Sequence, residues 1–109
     1  MAKKQEFYDL HAGLCRAISN PKRLAIIDTL RGGSMNVNEL SAKLESSQSN
    51  ISQHLGILKS RGLVRSDIKG NCTYYHISDL KVLKAFDLVS EIVKEKFRDN
   101  NKMLSELIK

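Results

Sequence analysis

Between Asn36 and Ile77 the sequence places two short helical patterns around a tight polar turn and runs from the second directly into a basic two-strand pattern. Asn36 is placed to cap the first helix, with Glu39 three residues on as the other half of a capping box, and Val37, Leu40 and Leu44 fall on one face. Ser46 and Ser47 make the turn, and Ser47 is the N-cap candidate for a helix whose apolar stripe is Ile51, Leu55 and Leu58 and which Gly62 stops. After Gly62, Leu63–Ile68 and Cys72–Ile77 are rich in β-branched and aromatic residues. They flank a three-residue tip, Lys69-Gly70-Asn71. This order predicts a helix-turn-helix over 36–61 and a hairpin wing over 63–77, an arrangement suited to reading duplex DNA.

The second helix is the candidate reader. At about 100° per residue, with Ile51 inward, Ser49, Gln53, Gly56 and Ser60 point away from the core and Ser52 and Ile57 flank them. Serine and glutamine exchange hydrogen bonds with base edges, and Gly56 lets the backbone approach the groove floor. Gln48, Ser49, Ser52 and Gln53 are the candidates for base-edge or groove contacts. Asn50, Lys59, Arg61, Lys69 and Asn71 are the candidates for the DNA backbone or the wing. His54, about 60° from the inward direction, either braces the turn or reaches a phosphate.

The flanks supply the rest of one 109-residue domain. Phe7, Leu10, His11, Leu14 and Ile18 stripe a first helix over about 5–18, and Ser19-Asn20-Pro21 opens a second that carries Leu24, Ile27 and Leu30 and breaks at Gly32-Gly33. Ser78 or Asp79 caps a long helix over about 79–98. Its apolar residues, Val82, Phe86, Val89, Ile92, Val93 and Phe97, cover more than a small core needs, which implies a partner chain. Arg98–Lys102 is polar enough to bend or fray, with Leu104, Leu107 and Ile108 making a further turn. The fold class is therefore mainly α: about five helices and a two-stranded wing, with a partner chain wanted by the last helix.

Charge agrees with that reading. Eighteen Lys and Arg against twelve Asp and Glu give a net charge of +6, and Lys43, Lys59, Arg61, Arg65 and Lys69 outnumber Glu45 and Asp67 on the proposed face. No leader-like apolar run follows the charged start, and nothing approaches a membrane span, so a cytoplasmic location is expected with double-stranded DNA, not membrane, as the partner. A nucleotide loop, a dinucleotide turn and HExxH are all absent, and Ser52 and His54, two apart on a helix, diverge; the residues read as non-enzymatic. Two other classes stay open at this level: a sequence-blind DNA-coating chromosomal protein and a winged-helix protein-interaction module.

Three segments together resemble the ArsR/SmtB family of winged-helix repressors across roughly residues 7–97: Asn20-Pro21-Lys22-Arg23-Leu24, Ser47-Gln48-Ser49-Asn50-Ile51-Ser52-Gln53-His54-Leu55 and Tyr74-Tyr75. The resemblance implies a homodimer joined through the first and last helices, about residues 5–18 and 79–98, that binds an inverted-repeat operator and blocks transcription until an effector releases it. Two metal sites familiar in that family lack their ligands here. Ser41 and Lys43 stand where a cysteine pair follows Glu39-Leu40. On the last helix Asp79 and Glu95 are present, but Lys81 and Ile92 replace the histidines. No metal or other cofactor is expected. Cys72 and His76 share a strand face about 13 Å apart, too far for one ion, whereas His11 and Cys15 lie one helical turn apart and read more simply as packed residues. Cys15 and Cys72 remain as candidate effector or redox thiols, with Arg65 and Lys69 close to Cys72 in sequence.

Overall fold

The computed structural model of the chain describes residues 2–107, with the side chains of all of these except Ala2 and Leu104. Helix α1 (Ala2–Ile18) and α2 (Pro21–Leu30) precede a short strand β1 (Met35–Asn36). Helices α3 (Val37–Leu44) and α4 (Gln48–Ser60) follow, then β2 (Val64–Lys69), β3 (Cys72–Ile77) and a long α5 (Leu80–Leu107).

The local chemistry explains these boundaries. Asn20 accepts from the backbone N–H of Lys22 and Arg23, and Pro21 sits at the first helical position, where no N–H is needed. Asn36 and Glu39 form the reciprocal box at the start of α3: the Glu39 N–H donates to Asn36 Oδ1 at 2.8 Å and the Asn36 N–H donates to Glu39 Oε1 at 3.0 Å. Ser47 accepts from the Asn50 N–H at 3.1 Å. Of the two cap candidates before α5, Asp79 takes the role by accepting from the Lys81 N–H, while Ser78 Oγ donates to the Gly62 carbonyl and ties the end of the wing to the end of α4.

The core is the meeting point of α2, α3, α4 and the root of the wing. Ile26, Ile27, Leu40, Ile51, Leu55 and Leu58 are fully buried, with Leu30, Leu63, Val64 and Ala17 of α1 closing around them. Each large apolar side chain so enclosed contributes about 1.5–3 kcal/mol. The three helices of the reading unit are thereby fixed to one another by the inward stripes already visible in the sequence.

Three details differ from expectation. The sheet has three strands, in the order β1-β3-β2, because Met35 and Asn36 pair antiparallel with Tyr75 and Tyr74. The wing turn contains two residues, since Lys69 pairs with Cys72 and leaves Gly70 and Asn71 as the loop. Gly70, at φ +63°, takes the first central position, as primed two-residue turns favour. Finally, α5 is one helix of 28 residues through Arg98–Lys102, about 42 Å long at 1.5 Å per residue; the expected Ile108 and the Leu104 side chain lie outside the described residues.

Candidate nucleic-acid interface

Burying Ile51, Leu55 and Leu58 against α2 and α3 leaves the opposite side of α4 in solvent. Gln48, Ser49, Ser52, Gln53, Gly56 and Lys59 are all exposed. Gln48, Ser49, Ser52 and Gln53 occupy the first two turns, where unpaired backbone N–H groups also gather. No large apolar side chain interrupts that polar strip until Ile57, at 41% exposure.

The turn that aims α4 is held by side chains. Ser41 Oγ donates to the Ser46 carbonyl, and Ser46 Oγ donates to Asn50 Oδ1 at 3.0 Å. Asn50 is consequently half-buried and braces the turn through its carbonyl oxygen. Glu45 ends α3 in the left-handed region at φ +51°. The sequence marks Ser46 only as a turn residue; its role as a brace needs the left-handed reversal at Glu45, which no local pattern announces.

The wing carries Lys69 and Asn71 at its tip, both exposed. The Lys69 ammonium lies 5.9 Å from the centroid of the Tyr74 ring, so the aromatic face holds the cation against the hairpin. His76 Nδ1 lies 3.5 Å from Asp67 Oδ2 across the two strands. Arg61 takes a different direction from the other candidates. Its Nη1 lies 3.2 Å from where a Cβ on Gly13 would stand, placing the guanidinium against α1 beside Arg16. Cys15 and Cys72 are exposed free thiols. Cys72 also lines, with Asn36, Val37, Asn38, Thr73 and Tyr75, a depression of about 270 Å³ between the start of α3 and β3.

His54 stands on the flank of α4, half-buried. Burial lowers its pKa from the ordinary 6.5, and the charges of Arg23 and Lys22 on the neighbouring α2 lower it further, so the neutral imidazole is favoured. The first turn of α2 is thus brought beside the reader helix, a juxtaposition with no signal in the spacing of the sequence.

Outside the reading unit, exposed apolar side chains concentrate on α1 and α5. Phe7, Leu10, His11 and Leu14 form one patch. Leu24 of α2 joins Phe86, Val89, Ser90 and Val93 of α5 around a groove of about 300 Å³. Among the described residues no three His, Cys, Asp or Glu side chains gather as a metal site, and no helix is long and apolar enough to cross a membrane.

Comparison with known proteins places this geometry. Residues 20–66 match the family described as "Bacterial regulatory protein, arsR family", and the chain is 39% identical over 90 residues to the nodulation protein NolR of Rhizobium meliloti, spanning 83% of this chain and 74% of that protein. The chain belongs to the arsR family of bacterial regulatory proteins. This ArsR-family regulator is also similar to the transcriptional repressor SdpR of Bacillus subtilis, with 36% identity over 63 residues, 58% of this chain and 70% of SdpR. Its fold superimposes with a TM-score of 0.80 and 30% identity on the homodimeric winged helix-turn-helix DNA-binding domain of Mb0332 from Mycobacterium bovis, over 87% of this chain and 88% of that one. The winged helix-turn-helix class is therefore established, and the regulator is a transcription factor by family.

Proposed function

We propose that this ArsR-family chain acts as a homodimeric repressor that binds an inverted-repeat operator in double-stranded DNA. The observation that carries the reading is the exposed polar strip of α4, aimed by the Ser41–Ser46–Asn50 hydrogen bonds and flanked by a cationic wing. Gln48, Ser49, Ser52 and Gln53 read base edges in the major groove. Asn50, Lys59, Lys69 and Asn71 hold the backbone, and Arg61 joins them by swinging off Gly13. Two α4 helices related by a two-fold axis read half-sites one helical turn apart, or a multiple of it. The domain plan is a single unit in which α1 and the first part of α5 pair the two copies and α3, α4 and the wing meet the duplex. The protein works in the cytoplasm and catalyses no reaction. Repression is the outcome supported by the SdpR relative and by a unit whose bound dimer blocks the duplex it covers.

Release is assigned to the exposed thiols: Cys72 beside the tip of the wing, Cys15 on α1, or both, react with an oxidant, a polysulfide or a thiophilic metal and weaken the grip. Selection of bound duplexes from a random pool tests the main reading. It should return an inverted repeat, and Gln53→Ala should relax the base preference at one position of each half-site. Equal loss by Gln53→Ala on operator and random duplex contradicts the assignment. Operator release by each reagent should vanish in the Cys15→Ser, Cys72→Ser double variant; an unchanged response rejects the thiol route.

A further inference from the structure

Two side-chain nitrogens among the described residues are buried without a hydrogen-bond partner, Arg23 Nε and His54 Nδ1. Enclosed polar atoms of this kind cost free energy unless they find a partner, and these two are chemically matched. The guanidinium Nε–H is an obligate donor, and the Nδ1 of a neutral imidazole is an acceptor when the proton sits on Nε2. Arg23 and Lys22 both act electrostatically on His54, which places the three side chains in one neighbourhood at the junction of α2 and α4.

The cluster has no counter-charge. No carboxylate is among the groups perturbing His54, and neither Lys22 nor Arg23 belongs to an ion pair among the described residues. The backbone N–H groups of the same two residues are occupied by the Asn20 cap, so their side chains are what α2 offers here. His54 is half-buried on the flank of α4, beside the strip that faces the proposed groove. An α-helix with its side chains is about 10–12 Å across and the major groove is about 12 Å wide, so α4 fills the groove and whatever flanks it meets a wall of phosphates.

We infer that Lys22, Arg23 and His54 form a clamp for one phosphodiester of the strand bordering the groove, in which the Arg23 and His54 side chains, unbonded in the free chain, close on each other so that His54 Nδ1 accepts from Arg23 Nε and Nε2–H donates to a phosphate oxygen. The inference rests on the DNA-binding reading above and adds to it a backbone contact made from α2, outside the helix-turn-helix and the wing. It also gives His54 both roles the sequence left as alternatives: its inner nitrogen braces α4 against α2, and its outer nitrogen meets the nucleic acid.

The test is a salt series of binding isotherms on the selected operator and on a random duplex of equal length. Each variant is first checked for a wild-type melting transition. Lys22→Ala should weaken both duplexes alike and make the slope of log K against log salt shallower by about 0.9. Arg23→Ala should do the same, whereas Arg23→Lys should keep the slope and still lose affinity because Nε is gone. The two amides separate the nitrogens of His54. His54→Gln puts a donor near the Nε2 position and should bind within a fewfold of wild type, while His54→Asn, too short to reach the phosphate, should lose about tenfold on both duplexes. Wild-type slopes for Lys22→Ala and Arg23→Ala, alongside a shallower slope for Lys69→Ala, overturn the clamp and leave the DNA reading standing. If Arg23→Ala does not fold, Lys22→Ala and His54→Asn decide by the same criteria. A wild-type protein that binds no duplex overturns the underlying reading and the clamp with it.

Discussion

Arg31 grips Asp87 with two nitrogens: Nη1 donates to Oδ2 at 3.1 Å and Nη2 donates to Oδ1 at 2.6 Å. The same guanidinium donates from Nε to Asp28 at 3.2 Å and lies 5.7 Å from the centre of the Phe86 ring. The end of α2 is thereby joined to α5 across 56 positions of sequence. Because α2 also packs on α4, this fork helps fix the angle between the reading unit and the helix proposed to pair the two copies.

Replacing Asp87 with Asn should cost a little thermal stability at neutral pH, and less at high salt, because both partners are substantially exposed and ions screen the pair. The pH dependence has a definite sign. Hydrogen bonding from Arg31 lowers the Asp87 pKa below its ordinary 3.8, so the folded state holds that proton less tightly than the unfolded chain. The contribution is present above pH 3.8 and lost as pH falls through the folded value. Melting curves of wild type and Asp87→Asn should differ at pH 7 and converge in acid; a gap that widens in acid contradicts the pairing.

Glu45 offers a gain. It is the one non-glycine residue with positive φ among the described residues, and it puts a carboxylate at the C-terminal end of α3, where the helix dipole disfavours it. Glu45→Gly removes the Cβ strain at the cost of a looser unfolded chain, for a net stabilisation of about 0.5–1 kcal/mol. Urea midpoints should rise for Gly and fall for Val. A drop with Gly would mean that the Glu45 side chain makes a contact worth more than the strain.

The reading unit was legible because each of its boundaries is a local event. The capping box of Asn36 and Glu39, the Ser47 cap and the Ile51, Leu55, Leu58 stripe depend only on neighbours within a turn or two, and they fix which face of α4 is left outside. What the sequence hid is non-local. Met35 and Asn36 form a strand only because Tyr74 and Tyr75 lie alongside. Arg31 finds Asp87, Arg61 lies over Gly13, and Lys22 and Arg23 approach His54, through packing of elements far apart in the chain. The polar stretch from Arg98 to Lys102 read as a bend, yet its residues have adequate helix propensity and contain neither Gly nor Pro, so α5 continues through it.

His54 should make the fold acid-sensitive near neutrality. Its pKa is lowered in the folded state by burial and by the charges of Arg23 and Lys22, so between the folded value and 6.5 the unfolded chain binds the extra proton. Stability contributed by the neutral imidazole is full above pH 6.5 and falls as pH drops below it. His54→Gln cannot titrate, and the difference between the two proteins in denaturant midpoint should change between pH 7.5 and 5. A constant difference across that range would place His54 in an environment no different from water.

The strongest demand on the proposed assembly falls on α5. Val89, Ile92, Val93 and Phe97 are 60%, 53%, 59% and 63% exposed, and Phe7 and Leu10 of α1 add 61% and 71%. Apolar exposure on this scale, repeated along two helices, is uncommon on a monomer and marks an association surface. Val93 lines the groove between α2 and α5, so a charge there meets any partner entering it. Wild type should sediment as a dimer of the 12.3 kDa chain, and Val93→Glu should shift it to monomer at micromolar concentration while leaving the helical content unchanged. Operator affinity should fall at least tenfold, because a single copy presents one half-site reader and forfeits the effective concentration of the second. Sedimentation of wild type as a monomer, or tight operator binding by a monomeric Val93→Glu, would remove α5 from the interface and with it the two-fold reading of the operator.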